Sequence, residues 1–504
     1  MANTAIRHRI RKLTKSVKTL ISRRQFLRQL LGAGGAASLL PRLGYTAAPA
    51  ELTDSINGNV FGHDHDQYEI WRQSMSWHTA KPNRYPDLIV QATSVEDVVT
   101  TVNWARNQGT KLAVHCGGHS WVHNSVRNGG VLLDLGRFRK VDIDAGQRRA
   151  VIQGSITSRE LAAQLGEHDL AFPIAHCGSG AMGGYLLGSG QAWNQGEWGP
   201  AACYHVRAID VVTADGEYIR ADETQNSDLL WAARGAGPGF PGVVINFHVD
   251  LLPLPQAITT STYMWPLADC LEVAAWMEAH VATLPRKVEV LSYFVAAPPE
   301  LAAQCGPEGK AFVVTATAFA DSEQEAAHML APLSDTPPGS VMREEFAATP
   351  FPVLFDRVDI GLPRERVNAD TFFFDKPTAT ILAAVRDHYA KAPSPHSVFL
   401  IETRHKVENA GDAAFSMFSN TFLASYAIWK DESDDAANNT WLAQTAEILQ
   451  PLAAGHFISE TNLLASGDRA QNSYAPDNWR RLQAVRKKYD PRDVLHTYIT
   501  PAEA

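Results

Sequence analysis

The sequence predicts an α+β fold in two parts, with a short tail that returns to the first. Three observations lead there. A chain of 504 residues is too long for one ordinary core, so two or three domains are expected. The first part opens with a β-α-β unit and continues as hairpins. The second part alternates strand-like runs with amphipathic helices, which reads as a sheet backed by helices.

The first domain spans about 51–257. Pro86-Asp87-Leu88-Ile89-Val90 reads as a strand. Ser94 and Asp97 form a capping-box-like start, and Val95, Val98, Val99 and Val102 make a helical stripe that stops near Gly109. Lys111 to Val114 is a strand, as is Val131 to Leu135. Segments 141–144 and 149–152 flank a turn at Gly146, a hairpin pattern. A helix follows over 158–165. Val206–Thr213 and Glu217–Arg220 flank Ala214-Asp215-Gly216, a second hairpin. Asn226-Ser227-Asp228 starts a helix closed by Gly235, and Val243 to Phe247 is the last strand.

Two glycine-rich stretches carry the chemistry. In Gly117-Gly118-His119-Ser120 the glycines let backbone N–H groups approach a ligand and hold up one histidine. Alone, this stretch reads more readily as a tight turn with a solvated histidine. From Cys177 to Gly190 there are six glycines in fourteen residues, too many for a good helix or strand. Such a loop is expected to lie against a planar or phosphorylated ligand. Gly178, Gly180 and Gly183 match G-x-G-x-x-G, but no strand immediately precedes them, so this is no dinucleotide fingerprint.

The second domain covers about 258–470. Strands are expected over 287–295, 311–317, 397–403 and 421–429, with a helix from Ser322 to about Leu330. Pro476 opens a last helix with Trp479, Leu482 and Val485 on one stripe, ended by Tyr489-Asp490-Pro491.

The first fifty residues stand apart. Residues 1–24 are basic with no Asp or Glu, then come Ser22-Arg23-Arg24-Gln25-Phe26-Leu27, a weakly apolar run and Ala48-Pro49-Ala50. This pattern resembles a twin-arginine export signal, so the twin-arginine export machinery is an expected partner and a periplasmic or secreted location is expected. A formal charge of −9 supplies no basic footprint for nucleic acid. No run reaches the roughly 18 apolar residues of a membrane span, so no stable insertion is expected. Five scattered cysteines show no CxxC pattern and no metal site.

Four blocks together resemble an FAD-linked oxidase of the berberine-bridge-enzyme-like group, within the vanillyl-alcohol-oxidase (PCMH-type) superfamily. They are GGHS at 117–120, Cys177 with Gly183-Gly184 and Gly188, ADG at 214–216 with NSDLLWAARGAGPGFPGVV at 226–244, and the segment 478–501. The resemblance implies a two-subdomain FAD-binding domain with its core at about 82–256, a substrate domain laid over the flavin, and a segment 471–504 that rejoins the first domain. It implies FAD bonded through the His119 ring and, in a doubly attached subset, through Cys177. The alternative for Cys177 is a free buried thiol. Gly117, Gly118, Ser120, Gly178, Gly183, Gly184, Gly188, Gly242 and Val243 would cradle the cofactor. Cys116 and Cys203 depart from the family pattern.

The resemblance also places a strand ending beside the flavin near His456–Asn462, where relatives carry a proton-accepting Tyr or Glu. Glu460 aligns best, with Tyr474 and Tyr426 in reserve, and burial would raise its pKa toward that of a useful base. The alternative for Glu460 is a solvated edge carboxylate. The expected reaction is hydride transfer from a CH–OH substrate, an oligosaccharide or other alcohol, to FAD, with O2 reoxidising it to give H2O2. The rivals are a dehydrogenase with another acceptor, an oxidative-cyclisation enzyme on an aromatic natural product, and a flavin-binding protein without turnover.

Overall fold

The computed structural model describes residues 47–405, 407 and 411–504. The export-like segment therefore lies outside the described residues, apart from its last few positions.

A four-stranded sheet opens the described chain, in the order 59–62, 88–91, 131–134, 112–115. Leu88–Gln91 and Leu112–His115 both run parallel to Val131–Asp134, as the β-α-β reading requires. The intervening helix Val95–Gln108 has a full capping box between Ser94 and Asp97 and ends at Gly109 with φ +64°. Strand Asn59–Gly62 and helix Tyr68–Ser74 precede the segment that the sequence marks as the core. Their short, mixed-polarity runs carry no clear periodicity, so only pairing with Leu88–Gln91 reveals the strand.

A five-stranded antiparallel sheet follows, ordered 141–144, 149–153, 242–250, 206–213, 218–221. The largest apolar cluster packs on it, with Leu161, Phe172, Leu186, Trp231, Phe247 and Leu482 among its members. Helix Pro476–Tyr489 joins this cluster through Leu482 and Val485. Leu112 N–H donates to Val494 C=O and His496 N–H to Leu112 C=O, each at 2.8 Å, so the tail becomes part of the first sheet's edge.

The third sheet has seven antiparallel strands, ordered 342–348, 257–266, 310–320, 288–296, 398–403, 421–429, 366–374. Its two faces are sorted by the period of two along each strand. Phe312, Val314, Ala316 and Ala318 pack under helices 270–281, 323–330, 378–389 and 435–449, in a core with Met277, Ile381 and Trp441. Val313, Thr315 and Thr317 face the other way, into a large cavity. The sheet is thus backed by helices on one side and left free on the other to form a wall.

Candidate active site

The cavity measures about 620 Å³ and lies between the two glycine-rich stretches, the C-terminal segment and the free face of the seven-stranded sheet. Gly117, Gly118, His119, Ser120, Cys177, Gly183, Gly184, Gly242 and Glu460 all line it. Residues far apart in sequence are therefore brought to one space.

The first turn is made by backbone. Gly118 has φ +74°, and a Cβ there would come within 2.5 Å of the Met75 carbonyl oxygen. A Cβ on Gly117 would sit 2.4 Å from Cβ of Ala181, so the two glycine-rich stretches touch at this point. Ser120 Oγ accepts from Asn124 N–H at 3.2 Å and steadies the turn's exit. The His119 ring packs against Trp77 at 4.7 Å between centroids, and its Nε2 is buried with no hydrogen-bond partner. Burial, followed by Arg364 and His78, drives its pKa down to about 3, so the imidazole is neutral. A neutral ring with an orphaned buried nitrogen is suited to bonding a ligand, not to carrying a proton at ordinary pH.

The second stretch is more regular than its composition suggests. Met182–Leu187 is a short helix with Gly183 and Gly184 in its first turn. Met182 N–H donates to Ile156 C=O and Gly183 N–H to Gly154 C=O, so docking on that segment overrides the poor helix propensity of glycine. Cys116 Sγ lies beneath Gly183 and Gly154, 2.8 Å from where a Gly183 Cβ would be, so this departure from the family pattern is a floor for the second stretch. Cys177 faces the cavity. Burial, and then the Glu460 carboxylate, pushes its thiol up to about 11. Three expected cradle residues act from behind the lining. A Cβ at Gly178 would meet Phe355 and Arg159, one at Gly188 would lie 1.7 Å from Ser459 Oγ, and Val243 is fully buried in the first domain's core.

Glu460 sits on a turn beside the cavity; the strand expected over 456–462 is not formed, only an isolated bridge between Phe373 and Gly455. A run of turn hydrogen bonds, including Glu460 N–H and Thr461 N–H to Phe457 C=O, replaces the ladder. The Glu460 side chain lines the cavity and is half-buried, and burial raises its pKa above the ordinary carboxylate value. Tyr426 donates its hydroxyl to Glu460 Oε2 at 2.8 Å, which pulls the other way, as do His176 and Trp121. The Trp121 indole N–H makes no hydrogen bond of normal geometry. Burial, with Glu460 beside it, holds the Tyr426 hydroxyl protonated well above its usual pKa, so Tyr426 serves as a donor and not as a base. Tyr474 is not part of the cavity lining. Its hydroxyl bonds to the carbonyls of Gly235 and Ala236 at 3.0 Å and meets Tyr498, tying the tail to the first domain.

Several cavity groups escaped the sequence reading. His176 Nε2 is 2.7 Å from Glu289 Oε1, and Glu289 Oε2 accepts from Asn194 N–H. Glu402 pairs with Arg404, which also binds Gln191 Oε1. The available signal was an acid inside each apolar strand run, at 289 and 402. Between these groups and Tyr426, the wall is largely apolar, with Leu291, Tyr293, Val295, Val313, Val398 and Leu400.

These residues fit a flavin dinucleotide. Cβ-free turns leave room for a flat ring, His119 Nε2 is buried without a partner, and the cavity extends past Asn124, Gly237, Phe240 and His496. Fold and site together define an FAD-binding oxidoreductase. Residues 86–222 match the family described as FAD binding domain. The chain is 31% identical over 423 residues to FAD-linked oxidoreductase nodO of Hypoxylon pulicicidum, covering 83% of this chain and 92% of that one. It is 29% identical over 442 residues to FAD-linked oxidoreductase janO of Penicillium janthinellum, covering 86% and 95%. The fold matches 6-hydroxy-D-nicotine oxidase from Arthrobacter nicotinovorans with TM-score 0.78 at 20% identity, over 90% of this chain and 99% of that one. It matches Physcomitrella patens BBE-like 1 with TM-score 0.76 at 16% identity, over 89% and 98%. The chain belongs to the FAD-linked oxidoreductases, an enzyme family of the PCMH-type, berberine-bridge-enzyme-like fold.

Proposed function

We propose that this enzyme is an exported oxidase that takes a hydride from the carbinol carbon of an alcohol, with its FAD tethered through His119 and Cys177. The observation that carries the reading is the convergence of His119, Cys177 and a Tyr426-bound Glu460 on one cavity. FAD held there by His119 and Cys177 would supply the two-electron acceptor for the carbinol C–H, with O2 as the final oxidant and H2O2 as its product.

The chain's own residues supply the remainder. Glu460 takes the hydroxyl proton as the carbinol becomes a carbonyl, and the pKa raised by burial makes it a stronger base than an ordinary carboxylate. Tyr426 holds the carboxylate in one orientation. The neutral His119 ring and the Cys177 thiol are the two nucleophiles for attachment, the thiol after losing its proton. The apolar wall of Leu291, Tyr293, Val313 and Leu400 favours an apolar alcohol over an oligosaccharide. The same wall supports a second reading, oxidative cyclisation of an aromatic natural product.

Anaerobic mixing of the holoenzyme with a panel of apolar and carbohydrate alcohols tests this. Bleaching of the flavin by an apolar alcohol, with a carbonyl product and H2O2 in air, is the expected result. A cyclised product would favour the second reading, and reoxidation by a quinone but not by O2 would make the enzyme a dehydrogenase. No bleaching by any substrate would leave a flavin-binding protein without turnover. Export rests on Ser22 to Leu27 with Ala48-Pro49-Ala50, and replacing Arg23 and Arg24 by Lys should retain the protein inside the cell.

A further inference from the structure

We propose that the buried Asp370–Arg469 pair is a positioning unit that seats the Glu460 turn against the strand carrying Tyr426. The inference rests on the reading of Glu460 as the base.

The register of one strand pair sets the geometry. Arg366–Phe374 runs antiparallel to Thr421–Trp429, with Ala369 opposite Tyr426 and Asp370 opposite Ser425. Tyr426 grips the Glu460 carboxylate at 2.8 Å from one strand. From the neighbouring strand, Asp370 Oδ1 accepts from Thr461 Oγ1 at 2.9 Å and from Asn462 N–H at 3.0 Å, the two residues that follow Glu460. Thr371, next along, accepts the N–H of Phe457 on its Oγ1 at 3.2 Å. The turn is therefore clamped on both sides of Glu460 by consecutive residues of one strand.

Arg469 locks the clamp from behind. Its Nη2 lies 3.1 Å from Asp370 Oδ2, an ion pair without hydrogen-bond alignment, and both side chains are almost wholly removed from water. Its Nη1 reaches the His456 ring at 2.9 Å. His456 Nδ1 is 2.7 Å from Thr371 C=O, which can only accept, so Nδ1 carries the proton and Nε2 takes the arginine N–H. Burial raises the Asp370 pKa above the ordinary carboxylate value even with Arg469 beside it, so the pair is held out of water at a cost at the foot of one turn. A buried pair of this kind is weak support for stability as such, and its partners here point to fixing a conformation. The groups facing Glu460 are Tyr426, Cys177, His176 and Trp121, while Arg469 is the charge facing Asp370.

The test is a pH titration of flavin absorbance in the substrate-free holoenzyme. The wild type should show a transition that Glu460→Gln abolishes. Thr461→Val removes one bond of the clamp and leaves the ion pair, while Asp370→Asn removes the charge. Thr461→Val should move the midpoint upward by at least half a unit, about threefold in the ionisation constant, as the Tyr426 bond loosens, and Asp370→Asn should move it by less, because the unpaired Arg469 pulls the carboxylate pKa down. Should Asp370→Asn fail to fold, Thr461→Val decides. A transition lost in Glu460→Gln but unmoved in the folded clamp variants overturns the positioning role alone. A transition that survives Glu460→Gln overturns the reading of Glu460, and the positioning role with it.

Discussion

The turn at 115–121 and the turn at 456–462 face the same cavity and are built on opposite principles. The first is fixed by what is missing: Gly117 and Gly118 have no Cβ, and the space those atoms would fill belongs to Ala181 and the Met75 carbonyl. The second is fixed by what is added, the Asp370 carboxylate, the Arg469 guanidinium and the Thr371 hydroxyl, all from elsewhere in the chain. A turn made by glycine holds a cofactor because backbone can approach it. A turn made by side chains holds one carboxylate at one orientation. On the proposed function, the first turn would tether the cofactor and the second would move the proton.

Glu460→Gln should cut the rate of flavin reduction by about 10²–10⁴-fold while leaving the flavin content of the purified protein unchanged, measured by anaerobic rapid mixing and by absorbance. Loss of flavin in that variant would erase the division between the turns. Gly117→Val should do the reverse, yielding folded protein with little bound FAD, because the new side chain would drive Ala181 away.

Asp370→Ala should cost about 3–5 kcal/mol of stability, seen in the denaturant midpoint, since it strands Arg469 in the interior. Tyr426→Phe acts on pH. The Glu460 pKa is raised and the base must be ionised, so the rate falls as pH drops through that raised value. The Tyr426 bond lowers the pKa, so removing it should carry the acid limb to higher pH by about 1–2 units, from roughly 1.5–3 kcal/mol for a hydrogen bond to a charge. Tyr474→Phe should cost only about 1–3 kcal/mol of stability, and the acid limb should stay in place because its hydroxyl serves Gly235 and Ala236. A shifted limb in Tyr474→Phe would return that residue to the active site.

Much of the fold was legible because it is local. The Ser94–Asp97 capping box, the Gly109 stop and the strands around 131 and 206 are written in short patterns. The glycine turn with His119 was legible for the same reason. Strand Asn59–Gly62 was not, since its identity comes from pairing with Leu88–Gln91. The helix Met182–Leu187 was hidden because its glycines argue against it and only docking on Gly154 and Ile156 forms it. Tyr474 had the right chemistry for a base, but its place is decided by the tail's return to Gly235. The pairings His176–Glu289 and Asp370–Arg469 join residues about a hundred positions apart, and no short window contains both partners.

On the proposed function, His119 and Cys177 hold one flavin from two sides of the cavity. The most direct test of this is the mass and colour of the acid-denatured holoenzyme. A yellow protein heavier by one FAD is expected in the wild type and in His119→Ala and Cys177→Ala singly, and an unmodified mass in the double variant. A colourless, unmodified wild-type chain from flavin-loaded protein would contradict covalent attachment, and loss of all covalent flavin in either single variant would contradict two independent links.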